Sequence, residues 1–81
     1  EQPFETTLEL DCITRDGLLL DVAMVMTAAR VRVKELVGKD LPGGRSTFTV
    51  RFEVKNVAEL EVIRKKLLAI RDVTGSRRGQ N

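Results

Sequence analysis

The sequence predicts one α+β domain whose elements run strand, helix, strand, strand, helix, strand. Its 81 residues suffice for a single compact domain. Two segments, Phe4 to Cys12 and Ser46 to Val54, alternate apolar and polar residues with the period of a half-buried strand. Between them, Leu18 to Arg30 lack Gly and Pro and carry an apolar stripe at helical spacing. An antiparallel sheet with both helices on one face buries each of these stripes.

The first half of the chain begins with a strand that Asp16-Gly17 ends. One side of this strand carries Phe4, Thr6, Leu8, Leu10 and Cys12. The helix that follows is predicted to turn a stripe to the core, formed by Leu19, Val22, Ala23, Met26 and Ala29, with Leu18 and Val25 widening it. Leu20 and Met24 fall near the opposite side of this helix.

A second strand is predicted from Val31 to Gly38. Its large apolar residues alternate as far as Val33, but the next one is Leu36, three positions on. This spacing predicts a β-bulge at Lys34-Glu35. A hairpin loop is predicted for Lys39 to Arg45, which contains Pro42-Gly43-Gly44.

The second half of the chain gives the clearest pattern. The third strand is predicted to face the core with Phe48, Val50, Phe52 and Val54. Asn56 with Glu59 three residues later predicts a capped helix start, and Glu61 with Lys65 predicts an ion pair on the outer face. Apolar residues then recur at helical spacing (Leu60, Ile63, Leu67, Ile70), and Val73 to Arg77 predict a short last strand. The order is that of a split βαβ, or ferredoxin-like, fold: a four-stranded antiparallel sheet with two helices on one face.

The residue types exclude several kinds of chemistry. The chain has no His, Trp or Tyr and a single cysteine, Cys12. A Ser-His-Asp or Cys-His site and the usual zinc ligand sets are therefore excluded, and no phosphate-binding loop is present. We expect no catalytic residue, no metal and no cofactor, and Cys12 is predicted to be a core residue. The longest apolar-rich stretch, Gly17 to Ala29, is too short to span a bilayer.

An RNA-recognition motif would have the same order of elements and therefore needs a separate test. Such a domain stacks bases on aromatic residues that project from the open face of the sheet. The corresponding positions of the third strand hold Thr47 and Thr49, while Phe48 shares the side of Val50. The pattern therefore argues against base stacking.

The turn after the first strand carries a family resemblance. Thr14-Arg15-Asp16-Gly17-Leu18-Leu19 resembles the Asp-Arg-x-Gly-Leu-Leu pattern of an ACT domain, with Thr14 where an Asp is usual. Ala29 to Val33 resembles the segment that enters the second strand. Val73 to Arg78 is similar to the C-terminal finish of Rel/SpoT proteins. The resemblance covers most of the chain, from about Thr7 to Arg78.

The resemblance implies that residues 1–81 form one ACT domain, ordered from about 4 to 78, and a start at Glu1 suggests an excised piece of a longer enzyme. It implies a non-catalytic regulatory domain of a cytoplasmic (p)ppGpp synthetase/hydrolase, a GTP pyrophosphokinase of the stringent response. Such a domain transmits ribosome, tRNA or branched-chain amino-acid signals to catalytic domains and often forms a homodimer by strand or sheet pairing. The alternative is an amino-acid-binding ACT domain of another metabolic enzyme or a stand-alone regulator.

Two candidate sites follow. The ligand-binding candidates surround the turn, where Gly17 permits a positive φ and the unpaired N–H groups at the start of the helix favour an anion; they are Arg15, Asp16, Gly17, Leu18 and Leu19. The alternative is that Asp16 only caps the helix and Gly17 only closes the turn. The partner-docking candidates are Leu20, Met24, Arg30 and Arg32. Direct RNA contact through Arg30, Arg32, Lys34, Arg77 and Arg78 is a further hypothesis, and scattered surface charge is its alternative.

Overall fold

Six elements follow one another in the predicted order in the computed structural model, which describes residues 2–79. The four strands form one antiparallel sheet in the order β2-β3-β1-β4, which confirms the predicted ferredoxin-like fold. The elements are β1 (Phe4–Ile13), α1 (Leu18–Ala29), β2 (Val33–Leu41), β3 (Arg45–Val54), α2 (Val57–Leu68) and β4 (Val73–Arg78).

The core lies between the sheet and the two helices. Leu8, Leu10 and Cys12 of β1 are fully buried there beside the four predicted apolar residues of β3, because alternate residues of a strand face the same side. Thr47 and Thr49 face the other side, which neither of the two helices described covers. The two central strands therefore have the predicted faces, and the open face lacks stacking aromatics at these positions.

The stripe of α1 matches the prediction at Val22 and Met26 but differs at its first residue. Leu18 is 2% exposed and packs in the core with Val22 and Met26, whereas Leu19 is 51% exposed. The prediction that Leu19 belongs to the core stripe is therefore wrong. Leu18, Leu19 and Leu20 have identical side chains, so composition alone does not determine which of them faces the sheet. The prediction that Leu20 and Met24 point away from the core is confirmed.

Strand β2 starts and ends later than predicted, and the hairpin loop shrinks to the three residues 42–44. Lys39 and Asp40 remain in the ladder with β3, opposite Thr47 and Ser46, because an edge strand tolerates polar side chains on both faces. The predicted bulge is confirmed, since the register with β3 shifts between Val33 and Glu35.

Helix α2 begins as the sequence predicts. The Asn56 side-chain oxygen accepts a hydrogen bond from the Glu59 N–H at 2.8 Å, and Glu59 in turn accepts one from the Lys55 N–H at 2.7 Å. The predicted Glu61–Lys65 pair is wrong, because Glu61 binds Arg64 at 2.8 Å, one residue closer. Among the described residues, neither 12-residue helix is long and apolar enough to cross a membrane.

Candidate functional site

The predicted ligand-binding turn lies at the end of the sheet where β1 leads into α1. Gly17 has φ +86°, which a residue with a side chain rarely adopts, and it forms the N-cap of α1. Its carbonyl accepts the Asp21 N–H at 2.9 Å, the first turn of the helix. No side chain within residues 2–79 caps this helix, so the alternative that Asp16 caps it is wrong. The N–H groups at the start of α1 thus lack the side-chain acceptor that Asn56 provides in α2.

Arg15 is directed toward other protein groups rather than into solvent. Its guanidinium donates to the carboxylates of Asp21 at 2.8 Å and Asp72 at 3.1 Å and to the carbonyl of Arg71 at 2.9 Å. The hydrogen bond that Arg15 donates to Asp21 is the main cause that raises the pKa of Arg15 above its ordinary value. Arg15 therefore joins the β1–α1 turn to the α2–β4 turn, and a ligand carboxylate would share it with two protein carboxylates.

Thr14 occupies the position where the family pattern has an acid. In the structure, Ser46 links the Thr14 hydroxyl to the carboxylate of Asp40. The Thr14 hydroxyl lies 2.6 Å from the Ser46 hydroxyl, which donates to the Asp40 carboxylate at 2.9 Å. Because Ser46 gives its proton to Asp40, Thr14 is the donor to Ser46. The Thr14 backbone N–H also donates to the Gly44 carbonyl at 2.9 Å.

Three separate turns thus meet at this end of the domain: β1–α1, β2–β3 and α2–β4. Sequence reasoning missed Asp40, Ser46 and Asp72, which act here on Thr14 and Arg15. Ser46 and Asp72 lie 32 and 57 residues along the chain from their partners, and no local pattern connects such positions. The positive φ of Asp72, +73°, also had no signal in the sequence.

A shallow groove of about 350 Å³ lies beside this end, between α1 and the α2–β4 turn. Of the five ligand-binding candidates only Arg15 lines it, together with Asp21, Met24, Val25, Ile70 and Arg71. Gly17, Leu18 and Leu19 follow Arg15 at the start of α1, but Leu18 is buried. The turn therefore offers backbone N–H groups and a paired guanidinium rather than an enclosed pocket.

The first two docking candidates lie together on the outer surface of α1. Leu20 and Met24 are 62% and 61% exposed. They line a second groove, of about 340 Å³, together with Ala23, Thr27 and Ala28. We call these five residues the α1 patch. It has no charged residue, and the hydroxyl of Thr27 is its one polar side-chain group.

Arg30 and Arg32 do not belong to the α1 patch. Arg30 follows the end of α1 in a left-handed conformation (φ +58°), about 15 Å along the helix axis from Leu20. Both arginines line a different groove, of about 220 Å³, with Lys55 and Glu59 of the segment that starts α2. The four docking candidates therefore form two surfaces.

The five basic residues proposed for RNA contact also fall into two groups, which differ in their ion pairs. Lys34 lies 3.4 Å from Glu53, and Arg77 binds Asp11 at 2.6 Å and Glu9 at 3.1 Å, all on the open face of the sheet. Within residues 2–79, Arg30, Arg32 and Arg78 have no carboxylate at ion-pair distance. No group of three or more described His, Cys, Asp or Glu residues is arranged to hold a metal.

The antiparallel order of the strands, the two helices on one face and the glycine turn at the start of α1 define a split βαβ domain. A family model described as the ACT domain matches residues 1–78. The chain therefore belongs to the ACT domain family, as the turn predicts, and is a regulatory, non-catalytic domain.

Solved structures agree on the fold. The ACT domain from GTP pyrophosphokinase of Chlorobium tepidum superposes with a TM-score of 0.84 at 18% identity, over 96% of this chain and 100% of that one. The acetolactate synthase small subunit of Thermotoga maritima gives 0.80 at 13% identity, over 93% of this chain and 47% of that one. A homoserine dehydrogenase from Thiobacillus denitrificans gives 0.76 at 17% identity, over 94% and 17%. No curated protein matches the sequence.

Proposed function

We propose that this ACT domain is a regulatory domain of a cytoplasmic GTP pyrophosphokinase, a (p)ppGpp synthetase/hydrolase of the stringent response. The observation that carries the proposal is the α1 patch, an uncharged surface on a helix whose other side is already buried in the core. Its role is to dock on other domains of the enzyme or on the ribosome–tRNA complex and to pass that signal to the catalytic half. The resemblance of the Gly17 turn and of Val73 to Arg78 to Rel/SpoT proteins, and the likeness in fold to the Chlorobium domain, support this parent enzyme.

The test is a charge placed in the patch of the full-length enzyme. Leu20→Glu should leave the domain folded, since Leu20 is 62% exposed, and should reduce ribosome-stimulated (p)ppGpp synthesis. Val62→Glu is the matched control, because Val62 is 52% exposed on α2, outside the patch. Equal ribosome stimulation in both variants would remove the α1 patch from the mechanism.

The second candidate function is amino-acid sensing at the start of α1, in this enzyme or in another metabolic enzyme or a stand-alone regulator. Gly17 and the absence of a side-chain cap favour it, because uncapped N–H groups at a helix start attract a carboxylate. Valine or isoleucine at millimolar concentration should move the amide resonances of Gly17 and Leu18. Isobutylamine, which lacks the carboxylate, is the control; equal shifts with both compounds, or none with either, argue against this function.

We also propose that the domain forms a homodimer by strand pairing rather than through the open face of its sheet. That face carries ion pairs such as Arg51–Glu5 at 2.9 Å and Arg77–Asp11 at 2.6 Å. Covering it with a second sheet would desolvate these charges, whose removal from water is costly. An edge strand instead offers backbone groups that pairing satisfies.

A further inference from the structure

The folded domain exposes one readily oxidisable side chain to solvent. Of the residue types that mild oxidants attack, the chain has one cysteine and two methionines, and it has no His, Trp or Tyr. Cys12 is 0% exposed and Met26 is 1% exposed, whereas Met24 is 61% exposed. Because the oxidant must reach the sulfur atom, we expect oxidation of the folded domain to occur at Met24.

Met24 lies at the junction of two surfaces of α1. It lines the α1 patch, where Leu20 and Ala28 are its i−4 and i+4 neighbours on the helix. It also lines the groove between α1 and the α2–β4 turn, together with Arg15 and Arg71. Among the described residues it is the one that lines both grooves. A change in the polarity of this side chain therefore changes the surface that the proposed docking uses.

We propose that Met24 is a reversible oxidation site that switches off docking through the α1 patch. The inference rests on the proposed docking function and adds its regulation. Hydrogen peroxide transfers one oxygen atom to the Met24 sulfur and leaves as water, so the thioether is oxidised by two electrons to a sulfoxide and the peroxide is reduced. A dithiol-dependent sulfoxide reductase reverses the step, because the sulfoxide oxygen leaves as water while two thiols form a disulfide.

The sulfoxide changes the property on which docking depends. Apart from the Thr27 hydroxyl, the side chains of the α1 patch are apolar, and the sulfoxide oxygen is a polar acceptor. A partner that covers the patch with apolar groups would bury this oxygen without a donor, which costs free energy. In the uncovered domain water hydrates the same oxygen. Oxidation of Met24 should therefore weaken docking and leave the free domain stable.

Met26 provides an internal comparison two residues further along α1. Its side chain belongs to the core, with Leu18 and Val22 of the same helix. Helix geometry places Met24 and Met26 about 200° apart around the helix axis. Peroxide should therefore reach one thioether in the folded domain and both only after unfolding.

The chemical step is tested on the 81-residue chain with dilute hydrogen peroxide. Tandem mass spectrometry assigns the added oxygen to either methionine. Met24 should be oxidised at least about tenfold faster than Met26 in the folded domain, and the two rates should become equal in guanidinium. The oxidised domain should keep the urea midpoint of the untreated one, because the added oxygen is in water. Equal rates in the folded domain, or a loss of stability when Met24 alone is oxidised, would overturn the proposal.

The functional step is tested on the full-length enzyme and its Met24→Leu variant. Each protein is compared with its own untreated sample, so that effects of peroxide on other domains appear in both. Peroxide should raise the ribosome concentration for half-maximal (p)ppGpp synthesis about tenfold more in the wild type than in Met24→Leu, because leucine cannot take up the oxygen. A methionine sulfoxide reductase should reverse this difference. Equal effects of peroxide on both proteins, or a difference that the reductase does not reverse, would overturn the switch.

Two further variants separate the switch from the docking function. If Leu20→Glu reduces ribosome stimulation but oxidation of Met24 does not, the switch is overturned and the docking function stands. If Leu20→Glu keeps full stimulation, the docking function is overturned and the switch with it. Met24→Gln places a permanent polar group at the oxidation site and should reduce stimulation without peroxide. Full stimulation in Met24→Gln would contradict the switch as well.

Discussion

The two helices are equal in length and cover the same face of the sheet, yet their chemistry differs. Helix α2 contains five charged residues, an Asn56 cap and basic residues in its last turn, all of which stabilise an isolated helix in water. Helix α1 contains one charged residue, Asp21, and lacks a side-chain cap. Each buries three residues in the core. The outer face of α2 is thus mostly charged, whereas that of α1 is mostly apolar.

The difference also shows what holds each helix in place. Helix α2 has its own local signals at both ends, so much of its stability is encoded within the element. Helix α1 depends on its buried face and on Arg15, which binds Asp21 from outside the helix at 2.8 Å. Substitutions in the core should therefore destabilise α1 strongly. Substitutions at the helix start should destabilise α2 more than α1.

The largest expected effect concerns the buried side of α1. Leu18→Ala should lower the free energy of unfolding by about 3 kcal/mol, because it leaves a cavity beneath the helix. Leu19→Ala, at an exposed position, should lower it by less than about 1 kcal/mol. Urea unfolding followed by circular dichroism measures both. The reverse order would show that the stripe runs through Leu19 after all.

The next effect compares the two helix starts. Asn56→Ala should cost about 1 kcal/mol, since the Glu59 N–H loses its acceptor. Asp16→Ala should change stability by less than about 0.5 kcal/mol, because Asp16 caps nothing. The same unfolding experiment serves for both variants, and equal losses would mean that Asp16 stabilises α1 in solution.

The smallest expected effect is the loss, at acidic pH, of the stability that the Glu61–Arg64 pair contributes. The hydrogen bond from Arg64 lowers the pKa of Glu61 below its ordinary value of 4.5, so the pair stabilises the fold above that pH and the stabilisation is lost as the pH falls through the lowered pKa. Glu61→Gln and Arg64→Gln should be slightly less stable than the wild type at neutral pH, and the difference should vanish in acid. Lys65→Gln should show much less of this dependence; a full effect there would restore the pairing with Lys65 that the sequence predicts.

The sequence predicts the helices and strands of this domain well. It predicts poorly which residue of α1 faces the core and which distant side chains form hydrogen bonds with each other. Strand β3 alternates over its whole length and β1 over most of its length, and Asn56 with Glu59 is a local signal, so these predictions are confirmed. The orientation of the first turn of α1 depends on which of its three consecutive leucines packs against the sheet. That choice is made by tertiary packing, and the one-residue error at Leu19 follows from it.

The candidate site shows the same limit. The Gly17 turn and the exposed pair Leu20 and Met24 were predictable, because a positive φ and a helical face are local properties. The partners of Arg15 were not, because Asp72 comes from a turn at the far end of the sequence. Hydrogen bonds that join separate turns depend on the closed sheet, and the sequence carries no local pattern for them.

The buried thiol of Cys12 gives the domain a built-in reporter of its own opening. Cys12 is fully buried, and burial raises the pKa of its thiol, so a thiol-reactive dye cannot reach a reactive thiolate while the sheet and helices are together. The rate of labelling then measures how often the core is exposed. Because Cys12 is the only cysteine in the chain, each variant can be compared without an introduced label. Binding of a partner to the α1 patch or to β2 should slow the labelling of the Cys12 thiol, although neither surface includes that residue.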